Sequence, residues 1–108
     1  MGNCLLTKSN ELRFNLLWTN PSPSASFSSQ TISLNLNTYK LVFIGTDRNP
    51  PILPINSNTY YINYEYSGRQ IVERSTQAKT SGVVFGNATF DGSTSNGYLI
   101  PKHIYGIK

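Results

Sequence analysis

The chain has 108 residues, of which 38% are hydrophobic and 13% charged, and nine Lys/Arg against five Asp/Glu give a net charge of +4. The charged share is about half the usual one, while Ser, Thr and Asn number 13, 10 and 12, and such side chains compete with a helix for backbone hydrogen bonds. This balance excludes a helical bundle or coiled coil, and the 7 Tyr, 5 Phe and 1 Trp with regular β-branched runs exclude a disordered chain.

Residues 1–108 are expected to form one domain, with residues 1–10 as a frayed N-terminus. The start, Met1-Gly2-Asn3-Cys4-Leu5-Leu6, invites a lipidation reading, but Leu6 stands where myristoylation wants Ser or Thr. No basic region and apolar core precede Cys4, so no secretory or lipoprotein signal is expected. A single cysteine allows no internal disulfide, which leaves stability to the core.

The dominant period along the chain is two. Leu12 to Trp18 alternates and then slips at Leu16-Leu17, predicting a strand with an irregularity. Asn20-Pro21-Ser22-Pro23-Ser24 cannot continue a ladder and reads as an extended connection. From Gln30 to Leu36 the alternation is unbroken, with Ile32, Leu34 and Leu36 on one face, the pattern of a half-buried strand. After a turn at Asn37-Thr38, Tyr39 to Ile44 contains the apolar quartet Leu41-Val42-Phe43-Ile44, which predicts a central strand covered on both faces. Asp47 to Pro51 is a loop, and Pro54 limits Ile52 to Ile55 to an edge piece.

Beyond a turn at Asn56-Ser57-Asn58, Tyr60, Ile62, Tyr64 and Tyr66 share one face of a strand, with Tyr61, Asn63 and Glu65 opposite. Ser67-Gly68 is a two-residue hairpin candidate, and Arg69 to Thr76 is the partner strand. A turn at Lys79 to Gly82 leads into Val83 to Phe90, where Gly86 marks a bulge or a close backbone approach. Asp91 to Gly97 reads as a loop, and the last strand runs from Tyr98 to Ile107. Seven or eight short strands at this spacing predict an all-β fold, an antiparallel β-sandwich of jelly-roll-like kind in a single domain.

Chemistry-bearing motifs are sparse. The nine basic residues are spread along the chain rather than gathered in a stripe, which argues against nucleic-acid binding. No stretch approaches the roughly twenty apolar residues of a membrane span. One His and one Cys, with Asp47 and Asp91 in separate loops, supply neither a zinc nor a calcium pattern, so no metal or cofactor is expected. His103 falls within a strand, on the side of Leu99, Pro101, Tyr105 and Ile107, where a packing role is the simpler account. Glu65 and Glu73 flank the hairpin, and a surface pair such as Glu65 with Arg69 explains them better than the opposed carboxylates of a glycosidase. An enzyme is not expected. Asn87-Ala88-Thr89 matches a glycosylation sequon, which means little without a secretory signal.

The tyrosines carry more information, since a flat apolar ring with a hydroxyl suits both sugars and protein interfaces. The Tyr60, Ile62, Tyr64 and Tyr66 face reads as one wall of a small core, or else as a recognition strand or oligomer seam, with Tyr61 on the outward side. Candidate ligand-binding residues are Tyr61, Tyr64 and Tyr66, together with Asp47 and Arg48 in the adjoining loop.

Two segments carry a resemblance. The first runs from Leu16-Leu17-Trp18-Thr19-Asn20-Pro21 through Leu36 to Tyr39. The second is Tyr98-Leu99-Ile100-Pro101-Lys102-His103-Ile104-Tyr105-Gly106-Ile107-Lys108. Together, over about a third of the chain, they resemble small structural proteins and the distal β-rich domains of tail fibres and baseplates in tailed phages and prophages of Gram-positive gut bacteria. The resemblance implies a virion protein of the phage tail, made in the bacterial cytoplasm, that binds other virion proteins or a host-surface glycan and forms a homotrimer. It transfers no catalytic residue. The alternative is a small phage inhibitor of host defence, binding a host protein or a nucleotide signal through a concave cluster such as Arg69, Arg74 and Tyr66.

Overall fold

The structure is a computed structural model that describes residues 13–55, 60–67 and 70–108. The expectations placed on Gly2, Cys4 and Leu6, on the Asn56-Ser57-Asn58 turn, and on Gly68 and Arg69 lie outside the described residues. The described chain is all-β and antiparallel. In chain order its strands are β1 (Phe14–Thr19), β2 (Gln30–Ser33), β3 (Leu41–Gly45), β4 (Ile52–Pro54), β5 (Tyr61–Ser67), β6 (Gln70–Lys79), β7 (Gly82–Phe90), β8 (Ser93–Thr94) and β9 (His103–Ile107). They form two sheets, one ordered β1-β9-β3-β4 and the other β2-β7-β6-β5, with β8 added to β7.

The sheets pack as a β-sandwich because each contributes one apolar face to a shared core. Val42, Ile44, Leu53 and Ile104 come from the first sheet and Ala78, Val83 and Phe85 from the second, while Phe27 and Leu36 close the gap from the connections. Aromatic rings link these contributions edge to face, Trp18 on Phe27 at 6.1 Å and Phe27 on Phe85 at 5.3 Å, the orientation that ring quadrupoles favour.

Two irregularities follow the sequence closely. On β1, Leu16 pairs with Tyr105 but Trp18 with Ile104, so Leu17 is the extra residue of a bulge. Leu17 and Trp18 both pack on the core as a result, while Leu16 stays exposed. On β7, Ala88 faces Arg74 and Phe85 faces Thr76, which sets Gly86 and Asn87 against Ser75 alone. A Cβ at Gly86 would meet Ser75 Oγ at 2.2 Å but the Ser75 backbone only at 3.6 Å, so the glycine leaves room for the present Ser75 rotamer at the bulge.

Several expectations need correction. Ile32, Leu34 and Leu36 do share the inward face, but pairing to β7 stops at Ser33, after which Leu34 and Leu36 donate to Ser81 and Thr80 carbonyls. β3 is an inner strand, yet only one face is sealed: Phe43 on the other lies half-buried beside Tyr105 and the exposed Phe14. Ser67 pairs with Gln70, so Ser67 belongs to the strand rather than to the turn, and Glu65 stands opposite Val72. The Asp91–Gly97 loop contains β8, Tyr98 and Leu99 form a bend with Leu99 at a positive φ, and β9 starts only at His103. Of the β5 residues, Tyr61 packs against the core while Ile62, Tyr64 and Tyr66 point outward. The face read as a core wall is therefore solvent-facing, and the residue read as outward is turned in.

Candidate functional site

One buried cation organises the end of the sandwich where the loops gather. Arg74 lies on the inward row of β6 between Val72 and Thr76, and only 1% of its surface is exposed. Its Nε donates to the Leu99 carbonyl at 2.9 Å, Nη1 to those of Phe27 and Gly86 at 2.9 and 2.8 Å, and Nη2 to that of Tyr98 at 2.9 Å. The guanidinium also lies 5.4 Å from the Phe27 ring centre, within cation–π range. Burial lowers its pKa from the ordinary arginine value to about 10, which still leaves it charged at neutral pH. Arg74 thus ties the Phe27 connection, the β7 bulge and the Tyr98-Leu99 segment to one point.

The connections are also stitched to each other. Buried Asn20 donates from Nδ2 to Pro101 O at 2.9 Å and from its backbone to Lys102 O at 2.8 Å, while its Oδ1 accepts from Ser22 N–H. Phe27 N–H donates to Asn96 O at 2.9 Å. Leu99 adopts a positive φ of 50°, an unusual conformation for a bulky residue, held by the Arg74 bond to its carbonyl and by burial of its side chain.

Against this pinned segment lies the β3–β4 loop, and the two enclose an open cleft of about 120 Å³ lined by Asp47, Arg48, Gly97, Tyr98, Leu99 and Ile100. Thr46 Oγ1 donates to Arg48 O at 2.7 Å, and Asn49, at φ 47°, turns the loop. Asn49 Nδ2 then donates to the Tyr64 carbonyl on β5, bridging the two sheets at that side. Asp47 Oδ1 accepts from Lys102 Nζ at 2.7 Å, and its side chain is largely in solvent, so the pair orients the carboxylate without sealing it. Tyr98 rests on Phe90 with ring centres 5.2 Å apart, leaving part of its ring exposed beside the cleft.

Of the residues expected to bind a ligand, the structure gathers Asp47 and Arg48 at the cleft and sets Tyr64 and Tyr66 on the outer face of β5, linked to the cleft loop through Asn49. It withdraws Tyr61. Tyr98 joins the cleft unforeseen; its signal in the sequence was only its place at the start of an apolar strand. The cluster of Arg69, Arg74 and Tyr66 is not assembled, because Arg74 faces inward and Tyr66 outward, and Arg69 lies outside the described residues.

Chemically the cleft places a solvent-facing carboxylate and an arginine residue beside an aromatic ring, the usual composition of a small polar recognition site. Its volume suits a group the size of one sugar ring rather than a larger cofactor. Among the described residues no three of His, Cys, Asp and Glu come together as a metal cluster would require. His103 sits half-buried on β9, 6.0 Å from the Tyr105 ring. Compared with protein-family models, with curated proteins and with solved structures, the chain has no match.

Proposed function

We propose that this protein is a phage or prophage virion module of the tail-fibre or baseplate kind that binds a host-surface glycan at the Asp47–Arg48–Tyr98 cleft, without catalysing a reaction. The observation that carries this reading is the convergence of a solvent-facing carboxylate, an arginine and a partly exposed tyrosine on one cleft of single-sugar size. Such sites hold a sugar by charge-assisted bonds to adjacent hydroxyls and by stacking of its apolar face.

The phage assignment is supported by how the two resembling segments lie. Trp18 pairs with Ile104 and Thr19 with His103, and Asn20 bonds Pro101 and Lys102. The Trp-Thr-Asn-Pro opening and the Ile-Pro to Ile-Tyr-Gly-Ile-Lys ending are therefore one structural unit. The inhibitor alternative loses the feature that motivated it, since burial removes Arg74 from any surface cluster.

The test is binding of the purified protein to cell-wall polysaccharide from Gram-positive gut bacteria. Wild type should bind, and Asp47→Asn and Tyr98→Ala should each weaken binding by about tenfold, the worth of one charge-assisted bond or one stacked ring. The unfolding transition stays put for Asp47→Asn and falls modestly for Tyr98→Ala, which loses the packing on Phe90. Absence of binding to every wall preparation, or variants that bind like wild type, would sink the proposal.

A further inference from the structure

The outer edge of the second sheet is built to receive another strand. β5 ends the order β2-β7-β6-β5, and the direction of its free backbone groups follows from two separate contacts. On β6, the N–H and C=O of Ile71 both go to Asp91, at 3.2 Å to its carboxylate and 3.1 Å from its amide. Ile71 thus points away from β5, and its pair with Tyr66 is of the non-hydrogen-bonded type. Alternation makes Glu73–Tyr64 and Ser75–Ile62 the same type. On β5 itself, the Tyr64 carbonyl accepts from Asn49 of the β3–β4 loop, as a group pointing off the sheet edge would. Ile62, Tyr64 and Tyr66 therefore aim their N–H and C=O groups outward along the edge, and among the described residues only Tyr64 O has a partner there.

Apart from the Asn49 amide on the Tyr64 carbonyl, nothing described blunts this edge. Natural edges are protected by proline, lysine, bulges or short length, but β5 is seven residues of Tyr-Ile-Asn-Tyr-Glu-Tyr-Ser with an unbroken register against β6. The side chains of its outward-aimed residues are exposed as well, by 53% for Ile62, 57% for Tyr64 and 65% for Tyr66. The neighbouring Ile71 extends the apolar stripe onto β6.

We infer that β5 pairs antiparallel with β5 of a second copy of this chain, joining the two four-strand paths into one continuous sheet. The strand is self-complementary about Tyr64. A two-fold axis there sets Tyr64 against Tyr64 and Ile62 against Tyr66, which places aromatic beside aromatic and aromatic beside β-branched residues, the favourable cross-strand pairs. It sets Glu65 against Asn63, so no like charges stand opposite one another. Every residue aimed outward meets one aimed back at it, giving on the order of six backbone hydrogen bonds. The Tyr64 carbonyl has two lone pairs and accepts the new bond alongside Asn49. An isologous edge closes as a dimer, so this assembly differs from the homotrimer that the resemblance implies.

Sedimentation equilibrium of the full chain over a wide concentration range tests the inference, and it reads association independently of glycan binding. Wild type should show a monomer–dimer equilibrium. Tyr64→Pro removes an N–H that only the second copy would accept, and proline is tolerated on an edge facing that way. It should weaken association roughly tenfold or more, losing both central bonds of the pair. Amide exchange on wild type covers the case in which that variant fails to fold: the N–H groups of Ile62, Tyr64 and Tyr66 should exchange more slowly at high protein concentration than at low. A monomer at all concentrations, a trimer, a dimer indifferent to Tyr64→Pro when folded, or concentration-independent exchange at all three amides would overturn it.

Discussion

At the scale of single residues, Arg74 holds the most structure per side chain. Its charge has been taken out of water and is met by four backbone carbonyls, so removing it leaves four acceptors short of a donor in a buried setting. Arg74→Met should destabilise the fold by about 3 kcal/mol or more, read from denaturant unfolding. Arg74→Lys should not rescue it, because an ammonium on one stem cannot span a planar fork. Because the folded pKa is lowered, to about 10, the unfolded chain binds more protons in the window that opens at about pH 10. The penalty on the charged form is therefore fully present below pH 10 and relaxes only as pH rises through that window. Arg74 accordingly adds no pH dependence to stability between pH 5 and 8. Gly82 is a second critical residue: at φ 150° a Cβ would lie 2.3 Å from Ile32 O. Gly82→Ala should cost about 2 kcal/mol, since backbone on both strands has to move. The turn and the bulge glycine were legible in the sequence. Arg74 was not, because a lone arginine in a polar strand reads as surface until the connection from Asn20 to Ser29 is seen to cross over it.

At the scale of elements, periodicity located the strands well and failed where both faces of a strand looked alike. The Leu16-Leu17 slip marked a bulge, since a strict period of two cannot place Leu17 and Trp18 on one side. The contrast is measurable: Leu17→Ala should destabilise by about 1.5 kcal/mol, while Leu16→Ala, on the exposed row, should stay within about 0.5 kcal/mol. On β5 the alternation was clear, but Tyr61 on one side and Tyr64 and Tyr66 on the other gave no apolar contrast to choose between them. The choice was made by β6, whose buried Val72, Arg74 and Thr76 fix the inward row and bring Tyr61, opposite Thr76, in with them. β8 escaped notice because a two-residue strand has no period. The cleft was legible only in part. Asp47 and Arg48 stood out as charges in a Pro-bounded loop, whereas the contribution of Tyr98 depends on the left-handed turn at Leu99, which no local pattern signals.

At the scale of the whole molecule, recognition and stability are separable by design of the fold. The Asp47–Lys102 pair lies at the rim with the carboxylate mostly in water, where such pairs contribute less than about 1 kcal/mol. On the proposed function, loss of the Asp47 charge should therefore cost glycan binding and little stability. The order of the first sheet has a different consequence. β9, last of the described strands in chain order, lies between β1 and β3, and it pairs with both over their length. Until β9 is in place, β1 has no neighbour among the described strands and β3 has only the three-residue β4. The second sheet, by contrast, is a run of local hairpins from β5 to β8 that is ready earlier. Folding is thus split by sequence separation: one sheet can form from neighbouring strands, with the apolar faces of Val42, Ile44 and Leu53 uncovered. The other snaps shut around a single late strand.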